Sequence, residues 1–486
     1  MTPQTEIFQH LVRAQMRLPP AVVTSGTSIG EVLSRMNDVP ASFVVVTDRA
    51  ARPIGIVTEQ DVVRRVVWQA DPAQPVEEVM TAPVVAVQAD DYLFQAIAFL
   101  RRRKLSQAPV VDGSGGMVGI ITLEDALASL SSRTVSLIEQ LTCGESIEDL
   151  RRVKQAQVEL ANALLASNAP APEVQLLLTE INTDIHRRVL RRLEAAMRED
   201  GWGDAPAPYA LIIMGSGGRG ENFLGPDQDN GFIIADDADA RQAGHASYFQ
   251  ELAKRMTTML DAVGFPLCKG DVMATNPLWR QSASQWCRQI DTWLRKCEPE
   301  MLLNCDIFFD FRHAYGDTAL SRAVRAHVNE AVPSHPAFLR HLFSIEAHHT
   351  VALGWFGRLR KERDGEDREG MVNLKMRGTL PLVEGVRLLS LKAGIPATST
   401  LARLAGLKAM GAITDTDCSN LTDGFHHITR LLLRQQLEDF TARREISNFV
   451  PESRLSSREK RELVTSFRAI EALRETLKVE FSDSMH

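Results

Sequence analysis

The sequence lacks the features that mark several large classes of protein. Its six cysteines form no Cys-x-x-Cys pair, so neither a zinc knuckle nor a disulfide framework is indicated, and we expect reduced thiols. No run reaches the roughly 18 continuous apolar residues of a membrane span. The first residues show no basic start followed by an apolar run, as a secretory signal would. We therefore expect a soluble, cytoplasmic protein.

An excess of basic residues is also absent. The net charge of -7 argues against a dedicated nucleic-acid-binding protein, which usually carries a basic surplus. With 486 residues, of which 44% are hydrophobic and 24% charged, the chain has a globular composition and is too long for one core. We expect about three domains.

An internal repeat occupies the first part of the chain. The stretches ASFVVVTDRAARPIGIVTEQDVVRRV (41–66) and SQAPVVDGSGGMVGIITLEDALASL (106–130) each predict a strand, a polar turn, a second strand and a helix. A short strand and an amphipathic helix precede each of them. A constant offset of 64 residues relates three pairs of equivalent residues: Gly55 and Gly119, Thr58 and Thr122, and Asp61 and Asp125.

The repeat, over about residues 15–132, resembles a tandem pair of CBS domains, which are β-α-β-β-α modules that pack in twos. In that family the cleft between two modules often binds an adenine nucleotide such as AMP or ATP. The resemblance implies that Thr58, Asp61, Thr122 and Asp125 hold this ligand and that the protein is a homodimer. The residues also allow another interpretation, in which each threonine caps the following helix and each aspartate favours its positive first turn. Both interpretations can hold together.

Three further segments follow the repeat. Residues 145–200 carry apolar residues at three- and four-residue spacing, which predicts two helices separated by ASNAPAPE (166–173). A linker rich in glycine and proline (198–210) then precedes the apolar strand LIIM (211–214), and FIIAD predicts a second strand. From about residue 330 the pattern is helical, and no β-rich stretch is expected after residue 315.

The stretch MGSGGRGENFLGPDQDNGFII (214–234) joins the two strands. Its glycines allow positive φ and let backbone N–H groups approach a ligand, and a helix starting near Arg219 or Glu221 would favour a phosphate. Asp227 and Asp229, expected at the start of the second strand, would point to the same face. Because neighbouring carboxylates repel unless a cation lies between them, the pair predicts a site for Mg²⁺ or Mn²⁺.

Other interpretations of this stretch fit less well. A Walker loop needs Gly-Lys-Ser/Thr, which is absent, and a dinucleotide fingerprint needs an acidic residue at the end of a second strand about 20 residues further on. A hairpin with solvated aspartates would explain neither the shared face of the two acids nor the placement of Arg219 and Glu221 beside the glycines.

The order of elements in this region resembles that of the polymerase-beta-like nucleotidyltransferase superfamily: a strand, a Gly-Ser pair, a loop, Asp-x-Asp and a second strand. The likeness is strongest to the branch of protein uridylyltransferases and adenylyltransferases, whose loop reads G-x-G-R-x-E, a pattern that Gly218, Arg219 and Glu221 fit. The resemblance implies roles for five residues: Gly215 and Ser216 hold the β and γ phosphates, Arg219 neutralises charge or braces the loop, and Asp227 and Asp229 hold the metal as catalytic residues.

A third carboxylate is expected, because two-metal phosphoryl transfer uses an acid to activate the attacking hydroxyl. In LLNCDIFFDFRHAYGD (302–317) we expect a strand that places Asp306 and Asp310 on one face. Asp310 is favoured as a catalytic residue because FFD-x-R followed by a Gly-Asp turn recurs in the family that the chain resembles. An ion pair between Asp310 and Arg312 is the alternative.

Over nearly its full length the chain resembles a bacterial family of CBS-domain-containing nucleotidyltransferases whose substrates are mostly unassigned. In NLKMRGTLPLVEGVRLLSLKAGI (373–395) the resemblance implies that Lys375 binds the triphosphate, with a solvated helix residue as the alternative. Arg434 and Gln435 are expected to form contacts within the helical bundle.

The predicted fold is a multidomain α/β (α+β) protein. It consists of a tandem CBS module (1–135), a helical spacer (136–205), a nucleotidyltransferase core with a mixed sheet (206–325) and an all-α C-terminal bundle (326–486).

The predicted function is magnesium-dependent transfer of a nucleoside monophosphate from an NTP to a hydroxyl, under the control of adenine nucleotide at the CBS pair. A protein tyrosine is the suggested acceptor, by analogy. A nucleotide-sensing regulatory protein without turnover is the alternative. A nucleic-acid end modifier is disfavoured by the acidic charge and the absence of a basic stripe with aromatic residues.

Overall fold

The computed structural model describes residues 10–18, 21–38, 43–66, 71–103, 105–127, 138, 140–141, 144–236, 243–354, 358–361 and 368–482. The chain divides into two compact units, an N-terminal unit of Met1–Cys143 and a C-terminal unit of Gly144–His486. Among the described residues, no helix combines the length and the apolar content needed to cross a membrane.

The N-terminal unit contains two copies of the predicted repeat, each with a three-stranded sheet. In both sheets a short first strand pairs in parallel with the second strand, which pairs antiparallel with the third. The strands are β1 (Val22–Thr24), β2 (Phe43–Thr47) and β3 (Pro53–Thr58) in one copy, and β4 (Val87–Gln88), β5 (Gln107–Val111) and β6 (Met117–Thr122) in the other. The helices are α1 (Ile29–Asp38), α2 (Glu59–Asp61), α3 (Leu93–Arg102) and α4 (Leu123–Leu127), with 3₁₀ turns at Val12–Ala14 and Val76–Glu78 and a π-helical turn at Val62–Val66.

Four isolated backbone bridges relate the two copies by a twofold exchange. The bridges join Leu11 to Tyr92, Pro75 to Ser28, Arg17 to Ile120 and Thr81 to Ile56. The bridges form two equivalent pairs under the offset of 64 residues. Position 11 corresponds to 75 and position 92 to 28, and in the same way position 17 corresponds to 81 and position 120 to 56. The segment before each copy therefore lies against the opposite copy, and the repeat seen in the sequence holds in three dimensions.

Both predicted threonine caps are confirmed. The Thr58 hydroxyl accepts a hydrogen bond from the N–H of Asp61, whose carboxylate in turn accepts one from the N–H of Thr58. The Thr122 hydroxyl accepts one from the N–H of Asp125. Such caps satisfy donors that have no partner within the first turn of a helix.

The C-terminal unit begins with the two helices predicted over residues 145–200, which are α5 (Ile147–Ala166) and α6 (Ala171–Glu199). Between them, Asn168 adopts a left-handed backbone conformation with φ of 61°, and Pro170 precedes the new helix. Proline cannot continue a helix inside its body but is well suited to its start, so the predicted break falls where α6 begins.

A four-stranded mixed sheet follows, with strand order β10-β7-β8-β9. Strand β7 pairs antiparallel with both β10 and β8, and β8 pairs in parallel with β9. The strands are β7 (Tyr209–Ile213), β8 (Asn230–Ile234), β9 (Arg280–Ser282) and β10 (Arg312–Gly316). Every residue of β7 is buried, as expected for an apolar run in the centre of a sheet.

The remaining helices surround this sheet or form the C-terminal bundle. They are α7 (Gly215–Arg219), α8 (Ala243–Val263), α9 (Ala283–Lys296), α10 (Pro299–Phe308), α11 (Thr318–Ala331), α12 (Pro336–Glu346), α13 (Leu380–Lys392), α14 (Thr400–Ala409), α15 (Asp415–Thr441) and α16 (Ser457–Ser482), with 3₁₀ turns at Pro277–Trp279, Val332–Ser334 and Glu452–Arg454 and a π-helical turn at Lys375–Thr379. One large apolar cluster runs from the sheet into these helices.

The bundle is not purely helical. A small antiparallel sheet joins β11 (Met371–Asn373) to β12 (Phe449–Pro451). The expectation of no β-rich stretch after residue 315 therefore missed this sheet. Strands of three residues carry too few residues for an alternating pattern to be visible in a sequence.

The strand predicted within residues 302–317 does not include Asp306 and Asp310, so this prediction is wrong for both. Residues 299–308 form α10, which starts at Pro299, and only Arg312–Gly316 form a strand. Leu302, Cys305 and Phe309 are buried at helical spacing, so burial of this stripe outweighs the alternation that suggested a strand.

Acid sensitivity is expected from His186 in α6. Its side chain is buried, its Nδ1 donates to the Asn182 carbonyl at 2.8 Å, and its ring lies edge-on to Phe265. Burial, together with the charge of Lys154, lowers the pKa of His186 to about 4. Between pH 4 and the ordinary histidine value of about 6.5, the unfolded chain binds one more proton than the folded one, so stability falls as the pH falls.

We therefore expect the free energy of unfolding of the wild-type chain to drop by about 2 kcal/mol more than that of a His186→Gln variant between pH 7 and pH 5. Urea unfolding of both proteins at the two pH values measures this difference. Parallel pH dependence of the two proteins would contradict the assignment.

Candidate active site in the C-terminal unit

The glycine-rich stretch after β7 forms the short helix α7 and not an open loop. Its first residue, Gly215, has φ of 56°, and Gly220 ends it with φ of 76°. The helix considered near Arg219 or Glu221 starts earlier, at Gly215, and already ends at Arg219. The N–H groups of a first helical turn have no carbonyl partner within their helix, so they remain available to a ligand.

Asp227 and Asp229 lie before β8, which begins at Asn230, and not on the strand as predicted. The ligand atoms of the two side chains nevertheless lie within 4.8 Å of each other, so both carboxylates point to one place. The backbone N–H of Asn230 donates to the Val272 carbonyl and that of Gln228 to the Pro266 carbonyl, which fixes the backbone of this segment. The buried Gln228 side chain donates to the carbonyls of Thr257 and Phe265. The Gln228 side chain therefore points into the protein, and the side chains of Asp227 and Asp229 point to the opposite side.

The two aspartates converge with a cysteine. Ligand atoms of Asp227, Asp229 and Cys268 all lie within 4.8 Å of one another. Burial and the neighbouring charge of Asp227 raise the pKa of Asp229 to about 6. Burial and the charge of Asp229 raise the pKa of Cys268 to about 11. A cation at this cluster would relieve the repulsion between the carboxylates, so the residues present fit a divalent metal.

The glycine helix and the acidic pair meet at Gly215. A Cβ atom added at Gly215 would lie 3.0 Å from Asp229 Oδ2, so the backbone of the helix start is packed against the carboxylate. The Ser216 hydroxyl donates to Asn222 at 3.2 Å. The predicted phosphate-binding and metal-binding residues are therefore side by side.

Two cations act on the same carboxylate. The charges of Lys375 and Arg219 both lower the pKa of Asp229, against the larger upward effect of its burial. Lys375 is exposed and opens the π-helical turn at Lys375–Thr379. The structure thus brings Lys375 to the acidic pair from a segment about 150 residues further along the chain.

Asp310 does not belong to the metal-ligand cluster. Its carboxylate is fully buried, with Oδ2 at 2.7 Å from Arg219 and 2.9 Å from Arg387, and Oδ1 at 2.7 Å from Arg403. The role of Asp310 as a catalytic third carboxylate stays a prediction, and guanidinium groups surround its oxygens. Asp310 does form ion pairs, as the alternative interpretation expected, but not with Arg312. Arg312 pairs with Glu180 instead.

Arg219 braces the glycine helix, as one of its two predicted roles required. Its Nε donates to Glu221 at 2.7 Å and its Nη1 to Asp310 at 2.7 Å. The other Glu221 oxygen accepts from the backbone N–H of Thr400 at 2.7 Å. The start of α14 is thereby tied to the end of α7.

The C-terminal bundle makes two more contacts with this stretch. The Thr398 hydroxyl donates to the Gly218 carbonyl at 3.1 Å, and Gln436 accepts from the backbone N–H of Leu224 at 3.1 Å. Sequence reasoning missed these contacts and also Arg387, Arg403 and Cys268. Only the two arginines left a sequence signal, since each stands between apolar residues of its helix.

Gly218 is expected to tolerate no side chain. An added Cβ would lie 1.7 Å from the Asp310 carbonyl oxygen, a backbone atom that cannot turn away. We expect Gly218→Ala to lower the free energy of unfolding by about 2–3 kcal/mol, as overpacking does. Gly270→Ala is the matched control, because its Cβ would meet only side-chain atoms at 3.7 Å. Equal melting temperatures for the two variants would rule out the close contact.

Six other predicted residues have defined surroundings. Arg434 pairs with Glu459, and Gln435 donates to Asp439, both inside the bundle as expected. In the N-terminal unit the Thr58 and Thr122 hydroxyls each donate to the aspartate three residues on, at 2.7 Å. Asp61 also accepts from Thr81, and Asp125 pairs with Arg17. Their role as ligand residues stays a prediction.

Comparison with known families decides the assignment of the chain. A profile described as "Putative nucleotidyltransferase DUF294" matches residues 155–300, and one described as "Putative nucleotidyltransferase substrate binding domain" matches residues 336–481. The CBS domain profile matches residues 11–67 and 76–132. The chain belongs to the CBS-containing DUF294 family. The predicted family and the predicted combination of a CBS pair with mixed α/β and helical parts are therefore confirmed.

Curated relatives of this DUF294 protein match shorter stretches. An uncharacterized protein of Methanopyrus kandleri, MK0525, is 31% identical over 99 residues, which are 20% of this chain and 50% of that protein. Arabinose 5-phosphate isomerase GutQ of Escherichia coli is 29% identical over 116 residues, 24% of this chain and 36% of the isomerase. The chain thus spans half or less of the length of these relatives.

CBS domain proteins are among the solved structures similar to part of the DUF294 protein. The protein TA0289 of Thermoplasma acidophilum has 27% identity and a TM-score of 0.24, over 26% of this chain and 74% of that one. The protein PAE2072 of Pyrobaculum aerophilum, solved with AMP, has 22% identity and a TM-score of 0.24, over 26% of this chain and 98% of that one.

Proposed function

We propose that the C-terminal unit is a Mg²⁺-dependent nucleotidyltransferase, which transfers a nucleoside monophosphate from an NTP to a hydroxyl group. The observation that carries this proposal is the convergence of Asp227, Asp229 and the start of α7 at one point. This geometry supports a site in which metal and phosphate are neighbours, as nucleotidyl transfer needs.

Asp227 and Asp229 would hold Mg²⁺ or Mn²⁺, which when bound neutralises phosphate charge and orients the reacting groups. The first-turn N–H groups of Gly215 and Ser216 would bind phosphate oxygens, since they have no acceptor within α7. Lys375, whose charge already acts on Asp229, would add a positive charge for the triphosphate. Arg219 holds the helix in place through Glu221 and Asp310.

The acceptor and the regulation of the enzyme are further parts of the proposal. The likeness of Gly218, Arg219 and Glu221 to the loop of the uridylyltransferase and adenylyltransferase branch favours a protein hydroxyl, such as that of tyrosine, as the acceptor. The CBS pair of the same chain would bind AMP or ATP and adjust the activity, in a cytoplasmic homodimer.

Transfer of label from α-labelled NTPs tests the proposal. The purified full-length chain is incubated with each NTP, Mg²⁺ or Mn²⁺ and a cell lysate, beside an Asp227→Ala/Asp229→Ala variant. We expect the wild type to label an acceptor and the variant to label none. Absence of transfer with every nucleotide and both metals would overturn the enzymatic proposal.

A regulatory protein that binds nucleotide without turnover is the second candidate. The burial of Asp310 among three guanidinium groups favours it, because the acid expected to activate the acceptor lies outside the metal-ligand cluster. Tight binding of NTP in the presence of Mg²⁺ without any transfer would support this candidate over the enzyme.

A further inference from the structure

The sulfur atom of Cys268 belongs to the acidic cluster, although the proposed function uses only the two carboxylates. Ligand atoms of Asp227, Asp229 and Cys268 all lie within 4.8 Å of one another. Around one tetrahedral zinc ion, with ligand bonds of about 2.0–2.3 Å, the ligand atoms lie roughly 3.5 Å apart. A closing of the cluster by about 1 Å therefore allows all three side chains to contact one ion.

The backbone places the cysteine opposite the two aspartates. The N–H of Gln228, between the aspartates, donates to the Pro266 carbonyl at 3.0 Å. The N–H of Asn230, directly after them, donates to the Val272 carbonyl at 3.1 Å. Cys268 lies between Pro266 and Val272 in the chain, so both ends of its loop are tied to the segment that carries the carboxylates.

Neither carboxylate of the cluster is in contact with a positive charge. Among the described residues, every buried aspartate and glutamate forms an ion pair with an arginine or a histidine: these are Asp61, Glu221, Asp310, Glu346, Glu384 and Asp439. Within the same part of the chain, Asp227 and Asp229 form no ion pair, and Lys375 and Arg219 act on Asp229 only through their charges. A metal ion would supply the counter-charge that this pair lacks.

The sulfur changes which ion the cluster suits. Mg²⁺ takes oxygen ligands and usually depends on the phosphates of a substrate, whereas Zn²⁺ accepts thiolate together with carboxylate. Three protein ligands and one open position are the arrangement of catalytic zinc sites. The backbone N–H groups of Gly270 and Val272 point toward the sulfur, where they offset the charge of a thiolate. Asp227 is exposed, so an ion can enter from solvent.

We propose that Cys268 is a third ligand at this site, and that the nucleotide-free protein binds a thiophilic divalent cation such as Zn²⁺ there in preference to Mg²⁺. As the bond between sulfur and metal forms, the thiol proton passes to water. Mg²⁺ binds the carboxylate pair together with the phosphates of an NTP. The inference rests on the proposed function for the place of the metal, and it adds a ligand and the class of ion that this ligand selects.

Titration of the full-length protein with Co²⁺, after removal of metals with EDTA, tests this inference. A bond between cobalt and thiolate gives a charge-transfer absorption band in the near ultraviolet, which carboxylate ligands do not give. We expect this band in the wild type and its absence in Cys268→Ser and in Asp227→Ala/Asp229→Ala. Cys268→Ser should also weaken Co²⁺ binding at least about tenfold. Zn²⁺ at the concentration of Co²⁺ should displace it, whereas Mg²⁺ in about 100-fold excess should not.

Cys287→Ser is the matched control. Cys287 is also a partly buried free thiol on which two carboxylates act, those of Asp291 and Asp236, but it belongs to no three-ligand cluster among the described residues. The band should be unchanged in this variant. A second measurement needs no variant: Zn²⁺ should slow the alkylation of Cys268 by iodoacetamide in the wild type, followed by mass spectrometry of peptides, and leave that of Cys287 unchanged. Mg²⁺ should slow neither.

Several outcomes would overturn the inference. Co²⁺ binding without the band, a band that Cys268→Ser retains, or displacement of Co²⁺ by Mg²⁺ as readily as by Zn²⁺ would each do so while leaving the transferase proposal intact. If Cys268→Ser does not fold, equal alkylation of Cys268 with and without Zn²⁺ has the same consequence. A wild type that binds neither Co²⁺ nor Zn²⁺ also removes the inference, whereas Mg²⁺-dependent label transfer, measured separately, decides the proposed function.

Discussion

Replacing Asp229 by asparagine is expected to lower the rate of nucleotidyl transfer by about 10³-fold. Asparagine keeps the shape of the side chain but removes a negative charge from the cluster of Asp227, Asp229 and Cys268, and a bound metal supplies several kcal/mol of charge stabilisation. The measurement is the initial rate of label transfer at saturating NTP and Mg²⁺. Binding of Mn²⁺, followed by its electron paramagnetic resonance signal, should weaken in parallel.

Asp271→Asn is the matched control for this variant. Asp271 is an exposed aspartate three residues after Cys268, and its φ of 54° is a conformation that asparagine tolerates well. We expect its transfer rate to stay within about twofold of wild type. An Asp229→Asn protein that keeps half of the wild-type rate would show that the carboxylate pair is not the metal site of the reaction.

Replacing Asp310 by alanine is expected to lower the free energy of unfolding by about 3–5 kcal/mol. The change removes the carboxylate that Arg219, Arg387 and Arg403 share and leaves their charges without it in a buried place. Arg219 keeps its pair with Glu221, and Arg387 keeps its pairs with Asp306 and Glu346. The cost therefore falls mainly on Arg403, whose one ion pair among the described residues is with Asp310. Chemical unfolding at pH 7 measures the loss.

Asp291→Ala serves as the control for an aspartate in an exposed pair. Asp291 lies 2.8 Å from His327 with both side chains partly in solvent, and we expect a loss of about 0–1 kcal/mol. If Asp310→Ala lowers the free energy of unfolding no more than Asp291→Ala does, Asp310 is not needed to compensate the charges of the guanidinium groups. A stable Asp310→Ala protein with normal NTP binding but no transfer would instead support the catalytic role predicted for this residue.

The repeat of the N-terminal unit was predictable because its signal is local and occurs twice. The strand, turn, strand and helix around Thr58 return around Thr122, and the helix caps depend only on residues three positions apart. Other partners of the two aspartates were not predictable. Those of Asp61 and Asp125 come from segments 20 and 108 residues away, which no short pattern relates.

The glycine stretch and the acidic pair were predicted as neighbours, but their secondary structure was not. Asp227 and Asp229 point the same way because the side chain of Gln228 between them is buried on the other side. An extended segment alternates its side chains in this way even where it is not part of a sheet. The glycines form a helical turn although isolated glycine disfavours helices. Contacts of Gly217 and Gly218 with Ile213 and with the backbone of Asp310 leave no room for a side chain there.

The surroundings of Asp310 are the clearest example of a feature that the sequence pattern did not predict. Alternating acids and phenylalanines suggested a strand, but the apolar stripe of Leu302, Cys305 and Phe309 makes the segment a helix. The three arginines around Asp310 come from residues 91 positions before it and 77 and 93 positions after it. No spacing rule connects such partners.

The sequence by itself determined the CBS repeat, the two spacer helices and the family. These features depend on residues close together in the chain, where backbone geometry sets which side chains share a face. Only the tertiary structure decided that Cys268 and Lys375 join Asp229, that Asp310 is held by arginines, and that Arg17 pairs with Asp125. Electrostatic and packing contacts of this kind depend on distance in space, and the fold alone brings such distant residues together.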